Sequence, residues 1–221
     1  MAGSSAPQTF PTPTIVPLGD RSLLVRFGTA LTDAANRAAI ALALALDREP
    51  IADVVEVVPN LVSVLLRYDP LVSPATIAGE LRLRLFALGD AALATAHWTI
   101  PVIFDGPDRN EVAALLGLSA ADFIAAHNAA PLRVLATGFA PGFVYCGLHA
   151  DKLVLPRRTA VRSAVPVGSV LFAAGQTAIA ATEMPTGWHV IGRTDFRNFD
   201  PQAEPPTRLG AGDSVAFEAV S

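Results

Sequence analysis

The sequence predicts an α+β protein in which a small α+β sandwich is followed by an all-β barrel. In the first half, pairs of short β-type runs alternate with two helical segments, an order typical of helices packed on one face of a mostly antiparallel sheet. From Pro131 onward the chain shows short β-type runs punctuated by Gly and Pro. A sheet of many short strands usually closes on itself or forms two layers, so we expect a barrel there.

The first strands and the first helix follow from local composition. TIVPL and SLLVRFG are β-type runs separated by the turn-prone pair Gly19-Asp20, which predicts a hairpin. Thr32 is a predicted helix cap, and the Ala- and Leu-rich segment after it ends before Pro50, a helix breaker.

A second hairpin and helix repeat this arrangement. VVEVVP and LVSVLLRYDP predict two strands, and Ser73 is a predicted cap with Pro74 at the first helical position. HWTIPVIF is predicted as the last strand of a domain over residues 14–104, which follows a flexible tail, residues 1–13.

The remaining chain divides into a connector and a β domain. Residues 105–130 predict two short helices, the second opened by Ser119 with Asp122 at a capping-box spacing. Residues 131–221 contain the predicted strands RVLATGF, LVLPRR, SVLFAAG, TAIAAT, WHVIGRT and SVAFEAV.

Composition narrows the class of protein. With 52% hydrophobic and 16% charged residues the chain is too apolar for disorder, and no apolar run approaches the length of a membrane span. The amino terminus lacks a secretory pattern, and the single Cys146 excludes an internal disulfide, so a cytoplasmic protein is expected. A net charge of −4 with scattered basic residues argues against nucleic-acid binding.

Common catalytic signatures are absent. The sequence contains no GxxxxGK[ST], no GxGxxG after a strand, no HExxH and no GxSxG. The four histidines lie far apart without metal-ligand spacing, so no metal site is predicted. His127 ends a predicted helix beside the domain junction, although the helix dipole alone would favour an imidazole there.

Four arginines of the β half are candidate anion ligands: Arg157, Arg158, Arg162 and Arg193. The planar guanidinium group suits carboxylate or phosphate recognition. The sequence leaves open whether they form an anion site or lie exposed on the rim of a barrel.

Further candidates are polar or aromatic interruptions of apolar runs. Gln176 and Thr177 interrupt an apolar strand, and the Gln176 amide offers both a donor and an acceptor, unless the pair forms a bulge that satisfies local backbone groups. Trp188 is either the apolar wall of a pocket or part of a barrel core. In ATGFAPGFVYCGL, Gly142 and its neighbours predict a shaped loop that brings backbone and aromatic rings close to a ligand.

Several ordered motifs together resemble the allophanate hydrolase subunit 1 family. They are GFAPGFVYCGL, LVLPRR, VPVGSV, AGQT, MPTGWHVIGRT and LGAGDSVAF, with PLGDRSLLVRFG near the amino terminus. The family includes the B subunit of bacterial 5-oxoprolinase and the sporulation kinase inhibitor KipI. The resemblance spans nearly the whole chain.

The resemblance implies a cyclophilin-like β-barrel in the carboxyl-terminal domain and a cytoplasmic, heteromeric hydrolase. In the oxoprolinase, the B subunit works with a subunit 2 homologue, called C, and with a third chain, called A, to open 5-oxo-L-proline to L-glutamate with ATP and Mg²⁺. A KipI-type inhibitor of a histidine kinase and a carboxyltransferase-like domain, as in urea carboxylase, are the alternatives. The implied catalytic residues are His127 as an acid or base, Arg157 and Gln176, and the implied substrate-binding residues are Gly142, Arg162, Thr177, Trp188 and Arg193.

The sequence departs from the family pattern at FVYCGL, QTAIAA and MPTGW, and at Val161, where relatives have proline. Ala178 and Ala180 replace a glycine and a tyrosine of the family. These changes predict a pocket of altered shape and a different substrate.

Overall fold

A computed structural model of the chain describes residues 10–88 and 96–221. These residues confirm the α+β class, and the chain divides into two compact units, Met1–Ala94 and Thr95–Ser221. Of the predicted flexible tail over residues 1–13, residues 1–9 lie outside the described residues.

The first unit is a four-stranded antiparallel sheet with two helices. Its elements are β1 (Thr14–Pro17), β2 (Ser22–Arg26), α1 (Asp33–Arg48), β3 (Val54–Pro59), β4 (Ser63–Tyr68) and α2 (Pro74–Ala87). The strand order is β1-β2-β4-β3, so both predicted hairpins are confirmed. Alternate strand residues, among them Val25 and Leu66, are fully buried in one apolar cluster with Leu42 of α1 and Leu81 of α2. Burial of such side chains stabilises the unit by roughly 1.5–3 kcal/mol each.

The predicted helix caps form as expected. The Thr32 hydroxyl oxygen accepts from the Ala35 N–H at 3.2 Å, and Ser73 accepts from the Ala75 N–H at 3.3 Å. These bonds satisfy amide groups that have no partner within the helix. The boundaries of α1 and α2 were therefore predictable from short sequence signals.

The second unit contains two helices and most of the strands. Its elements are β5 (His97–Val102), α3 (Arg109–Leu115), α4 (Ala120–His127), β6 (Leu132–Thr137), β7 (Val144–Gly147), a 3-10 turn (Asp151–Leu153), β8 (Arg162–Val165), β9 (Ser169–Ala173), β10 (Gln176–Ile179), β11 (Met184–Thr186), β12 (His189–Arg193) and β13 (Ser214–Ala219). Seven strands form one sheet in the order β12-β9-β10-β7-β6-β13-β5, and β8 pairs with β11. The predicted strand LVLPRR instead begins at the 3-10 turn and continues without regular structure, and Pro156 within it cannot donate a backbone hydrogen bond.

The seven-stranded sheet curls until its edges meet. Ile103, next to β5, and Arg193, at the end of β12, each donate a backbone N–H to the other's carbonyl at 2.9 Å. β5 itself pairs in parallel with β13. The prediction that this strand ends the amino-terminal domain at residue 104 is therefore wrong, because its partner lies more than a hundred residues away in the chain and leaves no local signal.

Alternation along the strands gives the curled sheet two apolar faces. One face, here the helix face, packs Val144, Cys146, Phe172 and Ile179 with Phe123 of α4. The other is here called the hairpin face, because the β9–β10 hairpin contributes much of it. Its cluster also includes residues of the paired strands β8 and β11: Phe143, Val165, Leu171, Ala173, Ala178, Ala180, Met184, Trp188 and Val190. No helix among the described residues is long and apolar enough to span a membrane.

Candidate functional site

Three of the predicted site residues lie on or beside the hairpin face. Gln176 begins β10, and two positions later Ala178 faces Tyr145 directly across the strands. The Tyr145 ring lies 6.0 Å from the Trp188 ring, and the Arg157 guanidinium lies 5.6 Å from the same indole. The structure thus brings Arg157 and Trp188 together beside Tyr145, a residue that no sequence signal marked, and places Gln176 on the same face of the sheet.

A row of aromatic rings leads to this position from the shaped loop. Phe139 lies 5.7 Å from Phe143, whose ring lies 4.9 Å from Tyr145. Phe139 has a φ of 78° and is 75% exposed. A left-handed conformation is unusual for a bulky residue and is maintained only where the surrounding structure enforces it. The loop therefore presents aromatic surface beside Tyr145 and Trp188.

Arg157 supplies a positive charge to the hairpin face. It is exposed and has no ion-pair partner among the described residues. Burial raises the pKa of Tyr145 above its ordinary value of 10.0, and Arg157 partly offsets that effect. The phenol is therefore a neutral hydrogen-bond donor at neutral pH, while Arg157 can bind an anion.

Gln176 carries the clearest sign of an unfilled interaction. The residue is only 8% exposed, and its side-chain oxygen Oε1 is buried without a hydrogen-bond partner in the described part of the chain. An unpaired buried acceptor costs about 1–3 kcal/mol. Such groups are rare in folded proteins and call for an explanation, which a bound ligand would provide.

The helix face contains a separate polar cluster of two histidines around Thr177. His127 Nδ1 lies 2.6 Å from Asn128 Oδ1, and the Nε2 atoms of His127 and His149 each lie 2.8 Å from Thr177 Oγ1. Because Asn128 Oδ1 only accepts, His127 Nδ1 carries the proton and its Nε2 accepts from the Thr177 hydroxyl. Because the Thr177 hydroxyl donates to His127, its oxygen accepts from His149 Nε2–H. The hydrogen bonds therefore run from His149 through Thr177 and His127 to Asn128.

Burial keeps both histidines neutral. Desolvation lowers the pKa of His127 from 6.5 to about 4. Desolvation, with repulsion from His127, lowers the pKa of His149 to about 3. His127 is 1% exposed and Thr177 is fully buried, so in this structure neither side chain lies on the face that carries Arg157, and both contribute to the core.

We expect the free energy of unfolding to fall as the pH drops below about 6.5, the pKa of an unfolded histidine. Between about pH 6.5 and 4 the histidines are protonated in the unfolded state but stay neutral in the folded state. The free energy of unfolding therefore increases with pH across this range. Between pH 7 and 5 each histidine should account for about 2 kcal/mol. Urea titrations of wild type and His127→Phe would measure this difference, and identical pH dependence would contradict it.

A buried carboxylate binds two of the candidate anion ligands. Asp108 is 3% exposed, and its Oδ1 accepts from Arg158 at 2.7 Å and from Arg162 at 2.5 Å. Its Oδ2 accepts from the Val190 N–H at 2.8 Å. The sequence left Arg162 either as an anion ligand or as an exposed rim residue. The structure shows neither role, since its guanidinium donates to the Asp108 carboxylate. Asp108 precedes α3 but makes no side-chain cap, so no sequence signal marks it.

Arg193 lies at the opposite end of the strands from Gln176. Arg193 pairs with Ser169, the first residue of β9, whereas Gln176 pairs with Ala173, the last. The Arg193 guanidinium donates to Asp105 at 2.8 Å. A small cavity of about 70 Å³ adjoins it, lined by Pro101, Ile103, Thr194, Asp195 and Val220. The structure does not bring Arg193 together with the other candidates.

Gly142 serves packing. Its φ is 70°, and a Cβ atom there would lie 2.4 Å from Phe199 Cβ. Its carbonyl accepts from Asn198 Nδ2 at 2.8 Å. Only glycine fits this close approach, so the position explains why the loop carries a glycine without placing it against a ligand.

Known proteins resemble this chain in sequence over most of its length. A family model described as carboxyltransferase domain, subdomain C and D, matches residues 13–209. The B subunit of 5-oxoprolinase from Bacillus subtilis (strain 168) is 32% identical over 219 residues, covering 92% of this chain and 91% of that relative.

Solved structures resemble the fold. The crystal structure of TTHA0988 has a TM-score of 0.80 and 37% identity over 91% of this chain, which spans only 40% of that longer protein. The Kluyveromyces lactis urea carboxylase, at 16% identity and a TM-score of 0.74 over 96% of this chain and 22% of its own, is similar in fold alone. The extent of the match to the family model and to the Bacillus subtilis relative confirms the resemblance in the motifs, and this chain belongs to the family of the carboxyltransferase domain, subdomain C and D, with the 5-oxoprolinase B subunits.

Proposed function

We propose that this chain is the B-type subunit of an ATP-dependent 5-oxoprolinase, or of a closely related amide or lactam hydrolase, and that it works with homologues of the C and A subunits. The single observation that carries the proposal is the 32% identity to the B subunit of the B. subtilis enzyme across 92% of the chain. We also assign the curled sheet to the cyclophilin-like barrels, since its edge strands are joined at Ile103 and Arg193.

The hairpin face suits recognition of a lactam that carries a carboxylate. A lactam carbonyl is a poor electrophile, and transfer of a phosphoryl group to its oxygen makes attack by water feasible. Positive charge must then stabilise the carboxylate or the phosphoryl oxygens. Arg157 is the available cation, Gln176 offers amide hydrogen bonds, and Trp188 with Tyr145 forms an aromatic wall.

None of the polar side chains assigned above to this face, Tyr145, Arg157 and Gln176, acts as a base at neutral pH. Tyr145 is neutral, Arg157 is cationic, and the two neutral histidines lie buried on the helix face. The residues of this chain therefore bind and orient the substrate, and a partner protein supplies the proton acceptor. This division agrees with the names of the relatives, each of which is one subunit of an oxoprolinase.

The described residues form no dedicated metal-binding cluster of their own. Within residues 10–88 and 96–221, no group of three or more His, Cys, Asp or Glu side chains is placed to hold a metal ion. Mg²⁺ that accompanies ATP is typically held by one or two carboxylates together with the phosphates, and we assign it to the assembled complex.

Co-expression tests the proposal. The chain, produced with its C and A homologues, should co-purify with the C homologue and hydrolyse ATP in a 5-oxo-L-proline-dependent reaction that yields L-glutamate. Omission of this chain is the control and should abolish the coupled reaction. A stable complex of all three proteins without oxoproline-dependent ATP hydrolysis would exclude the oxoprolinase.

A carboxyltransferase role is the second candidate, favoured by the description of the matching family model. It predicts transfer of a carboxyl group from carboxybiotin to an acceptor amide by the same assembly. A biotin-dependent carboxylation assay on the purified complex separates the two functions, because the oxoprolinase needs no biotin.

A further inference from the structure

His149 contacts the residues on both sides of Gln176. Its backbone N–H donates to the Gly175 carbonyl at 2.9 Å, and its side-chain Nε2 donates to Thr177 Oγ1 at 2.8 Å. Both contacts join a segment after β7 to the β9–β10 hairpin. Gln176 thus lies between Gly175 and Thr177, both of which are hydrogen-bonded to His149.

The turn before Gln176 needs such support. Ala174 and Gly175 connect β9 to β10 with φ values of 51° and 70°, the pattern of a tight two-residue hairpin. A positive φ is unfavourable for alanine. The Ala174 N–H also donates to the Leu155 carbonyl at 2.8 Å, so the hairpin is anchored at successive residues up to Thr177.

Anchoring of the backbone matters because otherwise only the packing around the buried Gln176 side chain holds its amide oxygen in place. This Oε1 atom has no partner among the described residues, and the terminal torsion of a glutamine side chain is soft and roughly two-fold. A half-turn about that torsion exchanges the positions of the buried oxygen and the amide nitrogen. A ligand N–H on the hairpin face would draw the oxygen toward itself and satisfy it.

We propose that His149 is a positioning residue, which holds Gln176 so that its amide oxygen accepts a hydrogen bond from an N–H group of the bound ligand. This inference rests on the proposed function for the identity of the ligand, a lactam or secondary amide. The positioning of Gln176 by His149 does not depend on the ligand, because both hydrogen bonds of His149 are present in the free chain. It can therefore be tested without any activity of the complex.

The test is the mobility of the Gln176 side-chain amide, measured by ¹H–¹⁵N NOE on the full chain. In wild type it should match the ordered backbone of β10. In His149→Phe, which retains an aromatic ring but loses the donor to Thr177, the side-chain NOE should fall to roughly half. His149→Gln, which restores a side-chain N–H donor, should recover most of the order.

His127→Phe is the matched control, since it removes the other hydrogen bond to Thr177 Oγ1 and leaves both His149 contacts. Its Gln176 amide should stay ordered. If His149→Phe does not fold, Thr177→Val removes the same hydrogen bond and should show the same mobility. An amide as ordered in Thr177→Val or His149→Phe as in wild type overturns the inference.

Ligand recognition is tested on the same spectra. 5-Oxo-L-proline should shift the Gln176 amide signals in wild type, and its N-methyl derivative, which lacks the N–H, should not. Equal shifts with both compounds would overturn the role of the N–H. If neither compound shifts the Gln176 signals while the His149 variants mobilise Gln176, the positioning role stands and the hydrogen bond to the ligand N–H is overturned. The proposed function keeps its own test in the assembled complex.

Discussion

Replacement of Asp108 by alanine is expected to lower the free energy of unfolding of the second unit by about 3 kcal/mol. The substitution removes the carboxylate that Arg158 and Arg162 share and leaves the Val190 N–H without its acceptor. Loss of one member of a buried ion pair costs about 3–5 kcal/mol because charge remains without compensation. The lower end applies here, since the side chains of the two arginines are 22% and 33% exposed and Arg158 keeps a contact with Glu111 at 3.4 Å.

Tryptophan fluorescence during urea unfolding provides the measurement. Both tryptophans, Trp98 and Trp188, lie in the second unit, so the signal reports on that unit alone. Asp105→Ala is the matched control, because its ion pair with Arg193 is about half exposed on both sides and should contribute less than about 1 kcal/mol. Equal losses in the two variants would mean that Asp108 is not a structural hub.

Replacement of Arg157 by alanine should reduce the activity of the assembled complex by about 100-fold or more while folding stays intact. The guanidinium is exposed and lies over the Trp188 ring at 5.6 Å, a contact worth about 0.5–1 kcal/mol at such a site. Loss of a preorganised group that stabilises developing charge typically costs about 10²–10³ in rate. Arg157→Lys keeps the charge without the planar fork, so it should retain part of the activity.

Arg208→Ala is the control for Arg157→Ala. Arg208 is also exposed and stacks on an aromatic ring, 5.9 Å from Phe196, but it lies away from the aromatic row of the hairpin face. Coupled ATP hydrolysis and urea unfolding should both remain close to wild type in this variant. If Arg157→Ala unfolds the chain, or if both variants lose activity equally, Arg157 has no specific role in binding.

Much of the fold could be read from the sequence because its signals are local. The caps at Thr32, Ser73 and Ser119 and the Gly19-Asp20 turn depend on a few neighbouring residues. Hairpins and helix boundaries therefore formed where they were predicted. The β5–β13 pair was not predictable in this way, because parallel strands distant in sequence share no turn between them.

The candidate site was likewise predictable only where its signals are local. The sequence alone identified Arg157, Gln176 and Trp188 as candidates, since a cation, an amide in an apolar strand and an indole beside glycine are chemically distinctive. It could not distinguish Arg157 from Arg162, because that difference depends on Asp108, a carboxylate some fifty residues earlier in the chain.

The sequence by itself determined the α+β class, most of the local elements and the residue types of a candidate binding face. Tertiary structure alone decided which face each of these residues occupies, because a shift of one position along a strand moves a side chain to the other side of the sheet. Gln176 and Thr177 are adjacent in sequence, yet they lie on opposite faces of the sheet. Gln176 lies on the face that carries Tyr145, whereas Thr177 is buried between His127 and His149. That separation follows from the two-residue repeat of a strand and from the neighbours that folding brings to each side.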